Sequence, residues 1–88
     1  MPHLILKMYA GRTDEQKVVI ADALTAALMH AAGSSKTSIS VAIEDVAPED
    51  WMEKVFEPDI AGRPGTIIKK PGYGRVAIAR LRRPPSQA

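Results

Sequence analysis

The chain contains no cysteine, which removes disulfides and thiolate chemistry from consideration and suits a reducing cytoplasm. Aromatic residues are scarce: one tryptophan, two tyrosines and one phenylalanine are too few to build a large core. No stretch approaches the roughly 20 consecutive apolar residues of a membrane-spanning helix, and no charged-then-apolar leader is visible. Neither a membrane span nor secretion is expected, and the expected location is the cytoplasm. The two histidines, His3 and His30, stand far apart and fit no metal-binding spacing. Acidic residues are missing from the last third: all ten lie between Asp14 and Asp59. Seven basic residues follow Ala61, namely Arg63, Lys69, Lys70, Arg75, Arg80, Arg82 and Arg83. A basic tail can bind nucleic acid or another polyanion. It can equally be a solvated edge, or pair with an acidic neighbouring subunit. Its charges are interleaved with Val76, Ile78 and Leu81 rather than with stacking aromatics, so nucleic acid is not the expected partner.

What is present points to one small α/β (α+β) domain. With 45% hydrophobic residues in 88, the chain is too apolar to be disordered, yet so short that it buries a modest fraction of its surface. Homo-oligomerisation is a common way for such a domain to complete a core and enclose a pocket. The domain is expected over residues 1–81, with 82–88 as a basic flexible tail. Residues 2–9 alternate, with Pro2, Leu4, Leu6 and Met8 on one face and His3, Ile5, Lys7 and Tyr9 on the other, the pattern of a strand buried mainly on one side. Thr13-Asp14-Glu15-Gln16 reads as a capping box opening a helix. Ile20, Leu24, Ala27, Leu28 and Ala31 then share one stripe at helical spacing, and Gly33 is a natural left-handed stop. A second strand is expected over 37–46, with Ile39, Val41 and Ile43 opposite Ser38, Ser40 and Ala42. The connection is long enough for a parallel crossover, so the unit is strand, helix, strand. Ala47-Pro48-Glu49-Asp50 opens a short second helix. That helix carries Trp51, Val55 and Phe56 and is expected to end near Pro58. Residues 61–65 read as a loop, and Lys69-Lys70-Pro71-Gly72 as a turn. The alternation over 75–81 predicts a last strand or hairpin arm.

Proline directly follows the initiator methionine. Removal of Met1, expected before so small a residue, would leave Pro2 with a free secondary amine at the start of a strand. Such an amine is a possible base or nucleophile, whereas the same nitrogen in a Met-Pro amide is neither. Partial burial near cations disfavours its ammonium form and brings it toward the working pH of a proton-transfer base. On position alone, an ordinary processed start is the simpler reading.

The start Met1-Pro2, the run Tyr9-Ala10-Gly11-Arg12-Thr13-Asp14-Glu15-Gln16-Lys17 and the stretch from Thr37-Ser38-Ile39 to Glu44 resemble the 4-oxalocrotonate tautomerase family. Pro2-His3, Ala47-Pro48-Glu49-Asp50-Trp51 and Ile67-Ile68-Lys69-Lys70-Pro71-Gly72-Tyr73 are similar to its PptA-type phenylpyruvate tautomerase subgroup. The resemblance covers roughly residues 1 to 73. It implies a β-α-β protomer assembled as dimers or as hexamers built from dimers, and catalysis without cofactor or metal. It implies that Pro2 shuttles a proton between the enol oxygen side and the adjacent carbon of a 2-oxo acid. It further implies that Arg12 holds the substrate carboxylate, often across a subunit boundary, and that Trp51 walls the pocket and keeps the amine desolvated.

In one place the chain departs from that pattern. Members that process diacids carry a second arginine where this chain has Ser40. Serine offers neither a permanent charge nor a bidentate fork, so a monoacid with an apolar or aromatic side chain, such as phenylenolpyruvate, is the expected substrate. His3 either bonds substrate or is a structural strand residue at an interface. Ser38 and Ser40 are candidate donors to an oxyanion or plain solvent-facing serines. His30 reads as a surface helix residue, and Tyr73 as a neighbour of the site or of the turn. Arg12 sits just before a helix N-terminus, where a cation is electrostatically unhelpful to the helix and a bound carboxylate would account for it. Two alternatives stand beside tautomerisation. Relatives that hydrate unsaturated acids or remove halide need a water-activating group, for which Glu44 and Asp45 are the nearby carboxylates. A non-catalytic oligomeric module would instead use the basic C-terminal tail.

Overall fold

The alternation at the two ends of the first half becomes a parallel strand pair. A computed structural model describes residues 1–74. Strand β1 spans His3–Tyr9 and β2 spans Ser40–Val46, paired in parallel register from His3 opposite Ser40 to Tyr9 opposite Val46. A parallel pair cannot be closed by a tight turn. The crossover is helix α1, Asp14–Ala32. Its start is the expected capping box: the Gln16 N–H donates to Thr13 Oγ1 at 3.1 Å and the Thr13 N–H donates to Gln16 Oε1 at 2.9 Å. Asp14 and Glu15 lie in the first turn, where carboxylates match the helix dipole. Gly33 ends the helix in the left-handed conformation, φ 69°.

Helix α1 packs against β2. Lys17 Nζ donates to Asp45 Oδ2 at 2.8 Å, which sets α1 over the sheet face of Val41 and Ile43. With these residues exposed in part, the pair contributes about 0.2–1 kcal/mol. Leu4, Leu6, Met8, Val41 and Ile43, with Ile20, Leu24 and Leu28 of α1, are half-buried. Ala27 and Ala31, expected on the same stripe, are exposed. On the opposite sheet face Ile5 is 55% exposed.

The second strand begins three residues later than its pattern predicts. Lys36–Ser38 is a 3-10 turn. Ser38 donates from both its backbone N–H (3.1 Å) and its hydroxyl (2.8 Å) to the Ser35 carbonyl, a local bond that competes with sheet pairing. Ser38 therefore does not share the strand face of Ser40.

The chain divides into two compact units, Met1–Pro48 and a second from Glu49 onward. In place of the expected short helix ending near Pro58, a 3-10 turn over Pro48–Asp50 is followed by a π-helix, Met52–Ala61, that runs through Pro58. Proline lacks an N–H and breaks a tight ladder. Here the turn widens, and the Gly62 N–H donates to the Glu57 carbonyl five residues back at 2.8 Å. A Cβ at Gly62 would lie 2.8 Å from that same oxygen, so the widened turn closes only on glycine. The expected loop over 61–65 is overlapped by the end of the π-helix at Ala61 and by a further 3-10 turn, Pro64–Thr66. Within this unit Val55 (4% exposed) and Phe56 (1%) are buried. Phe56 meets the Tyr73 ring at a centroid distance of 5.5 Å. Gly74 lies so close that a Cβ would sit 2.6 Å from Phe56 Cζ. The expected last strand or hairpin over 75–81, the domain end at 81 and the tail 82–88 lie outside the described residues. No helix among the described residues is long and apolar enough to cross a membrane.

Candidate active site

Pro2 lies immediately before β1 and is half-buried, while Met1 is fully exposed. Proline has no N–H for the sheet, but its carbonyl accepts from the Ser40 N–H at 3.1 Å and so opens the ladder between the strands. At the first register position His3 stands opposite Ser40, and His3 Nδ1 and Ser40 Oγ form a hydrogen bond of 2.6 Å. Three of the residues singled out from sequence, Pro2, His3 and Ser40, thus meet at one end of the strand pair. Both His3 and Ser40 are exposed. Their bond, made in competition with water, contributes on the order of 1 kcal/mol to folding.

Arg12 is exposed in the turn after β1. It follows Gly11, whose φ is 127°, and precedes the Thr13 cap. The capping box already satisfies donors of the first helical turn, and Arg12 pairs with no acid among the described residues. Its guanidinium is available to an external carboxylate. Strand β1 separates it from Pro2: seven residues at about 3.3 Å each put roughly 20 Å between the two ends. That span exceeds a small 2-oxo acid, so within one chain Pro2 and Arg12 do not converge on one small molecule.

Trp51 belongs to the second unit, where it is half-buried and its indole N–H donates to Tyr73 Oη at 2.8 Å. Nothing in the sequence pairs these two. They are 22 residues apart, and no local pattern joins a tryptophan before a π-helix to a tyrosine after a turn. The carboxylates considered for water activation are differently placed. Asp45 is engaged by Lys17, and Glu44 is exposed on β2, opposite Lys7 in the register. His30 is exposed in the last turn of α1. A surface hollow along α1, lined by Asp22, Thr25, Ala26, Met29 and Lys36, contains none of the candidate residues. Among the described residues no group of three or more His, Cys, Asp or Glu side chains is placed to hold a metal ion.

Comparison with known proteins bears on the same residues. The model of a family described as tautomerase enzyme matches residues 2–55, a span that opens on Pro2 and includes His3, Arg12, Ser40 and Trp51. A probable tautomerase of Xylella fastidiosa (strain 9a5c) is 43% identical over 77 residues, 88% of this chain and 94% of that protein. Tautomerase PptA of Pectobacterium atrosepticum is 39% identical over 74 residues, 83% of this chain and 97% of its own length. Among solved structures, a 4-oxalocrotonate tautomerase isozyme from Methylibium petroleiphilum superposes with a TM-score of 0.55 at 38% identity, covering 57% of this chain and 81% of that one.

Proposed function

This chain belongs to the tautomerase family, and on that premise we propose that it interconverts the enol and keto forms of 2-oxo monoacids such as phenylenolpyruvate, with Pro2 as the proton carrier. The enzyme class, an isomerase of the tautomerase type, follows from the family itself. The substrate and the proline mechanism are our reading. With Met1 removed, the neutral secondary amine of Pro2 takes the enol hydroxyl proton and becomes a pyrrolidinium. The electron pair moves through the enolate to carbon 3, which takes the proton back from the pyrrolidinium. Atoms and charge balance, and no second reactant is needed.

Arg12 binds the substrate carboxylate as a charge-assisted hydrogen-bond donor. On this reading the Arg12 that serves a given Pro2 comes from another subunit, which the roughly 20 Å between the two along β1 supports. The exposed Ile5 of β1, the exposed Val18 and Val19 of α1 and the lack of any buried residue on β1, β2 or α1 support self-association. Trp51, held by Tyr73, offers the apolar contact that an aromatic monoacid needs. Ser40 in place of an arginine favours a monoacid over a diacid.

The observation that supports the reading most is that the family match begins at Pro2 itself, a half-buried residue at the head of β1. Two measurements test it together: the intact mass of the purified protein, and phenylenolpyruvate ketonisation followed by absorbance. The expected mass lacks Met1. Pro2→Ala retains a primary amine and is expected to lower kcat/KM by about 10²-fold, the lower end of what a positioned acid/base supplies. A mass with Met1 fully retained, or an unchanged rate in the variant, overturns the assignment.

A further inference from the structure

His3 and Ser40 face each other across the parallel register, on the sheet face that α1 leaves open. Their side chains are joined by the 2.6 Å bond between Nδ1 and Oγ. The adjacent link in the ladder is the Ser40 N–H to the Pro2 carbonyl. One backbone bond and one side-chain bond therefore tie both residues to the proposed proton carrier. An exposed bond of this kind adds little to folding, and its chemistry is the more informative aspect. A serine hydroxyl has a single proton, and a neutral imidazole has one N–H and one bare nitrogen. When the ring proton is on Nε2, Ser40 gives its proton to His3 and has none to offer elsewhere. When it is on Nδ1, the ring donates to Oγ and the Ser40 O–H is turned outward.

We propose that His3 is a positioning residue that donates from Nδ1–H to Ser40, so that the Ser40 hydroxyl donates to the 2-oxo oxygen of the substrate while Pro2 moves the proton. The proposal rests on the role assigned to Pro2. As the enol loses its proton to Pro2, negative charge gathers on that oxygen, and the Ser40 O–H stabilises it. When carbon 3 is protonated the oxygen becomes a carbonyl and the bond weakens. A donor whose own oxygen accepts from His3 is polarised by that bond and is the stronger for it. The arrangement supplies electrophilic assistance without a fixed charge, at the position where this chain lacks an arginine.

The test is steady-state kinetics on the full chain with the free Pro2 amine verified by mass. Ser40→Ala is expected to lower kcat roughly 10- to 100-fold with KM changed less than about threefold, at or below the range for a preorganised oxyanion donor. His3→Ala is expected to lower kcat to a similar degree. The double variant should be no worse than Ser40→Ala alone, because the two act as one unit. His3→Asn places an amide N–H where Nδ1–H lies and should recover most of the kcat lost in His3→Ala. His3→Gln places its donor near the Nε2 position and should not. Far-UV circular dichroism of all variants should match the parent, and thermal melting should fall by no more than the roughly 4–8 °C that a bond of about 1 kcal/mol is worth. Unchanged kcat in Ser40→Ala, additive losses in the double variant, or failure of His3→Asn to exceed His3→Gln overturns the proposal and leaves the Pro2 assignment intact. Loss of the Pro2 dependence itself overturns both.

Discussion

The residues up to Pro48 form two seven-residue strands and a 19-residue helix, yet none of these elements contains a buried residue. The described residues from Glu49 to Gly74 include 3-10 and π turns, yet they hold Val55 and Phe56, the buried apolar residues among those described. Regular backbone pairing and burial are separate achievements. A helix and a strand ladder satisfy their own N–H and C=O groups locally, whereas burial needs a layer on both sides. A two-stranded sheet with one helix has one layer too few. The irregular unit instead closes on itself, because Phe56, Tyr73 and a glycine without a side chain fit against one another.

Three substitutions break or sharpen that contrast. The largest effect belongs to Phe56→Ala, which empties the one side chain at 1% exposure and is expected to cost about 3–5 kcal/mol in chemical denaturation. An unchanged denaturation midpoint would mean that the second unit has no core of its own. Next is Ile5→Lys on the open sheet face. If another copy covers that face, the change removes about 1.5–3 kcal/mol of apolar burial and places a charge in the contact. Sedimentation velocity should then show the assembly dissociating at concentrations where the parent holds together. An undisturbed assembly would locate the interface elsewhere. The smallest is Thr13→Ala, which removes one half of the capping box and is expected to cost about 1 kcal/mol. For a domain of this size that is a fall of about 4–8 °C in Tm. A drop far beyond that would show the first unit to be less locally determined than its hydrogen bonds indicate.

The same division explains what was legible beforehand. The helix start and stop are short-range chemistry, Thr13 with Gln16 and then Gly33, and both stand where the residues indicate. The alternation in β1 and β2 was equally readable, because side-chain direction repeats every two residues. The late start of β2 was not, because the serine bonds at 35–38 compete with a β pattern that continues through them. The run of the π-helix past Pro58 was hidden for a related reason. Proline ends an α-helix, but a widened turn closing on Gly62 accommodates it. At the site, Pro2, His3, Arg12, Ser40 and Trp51 were each visible as candidates. Their partners were not. The bond between His3 and Ser40 depends on parallel register across 37 residues, and the bond between Trp51 and Tyr73 on the path of an irregular segment.

The opening rung of the sheet has a further consequence. Pro2 enters the ladder through its carbonyl alone: as an amide its nitrogen has no hydrogen, and the N–H it would gain as a free secondary amine is not needed for the rung that Ser40 donates. Met1, fully exposed, contributes no packing that its loss would undo. The sheet is therefore indifferent to the covalent state of that nitrogen. A peptidase acting on the nascent chain or on the finished protein would leave the same fold, so the chemistry of the terminus can mature on its own schedule.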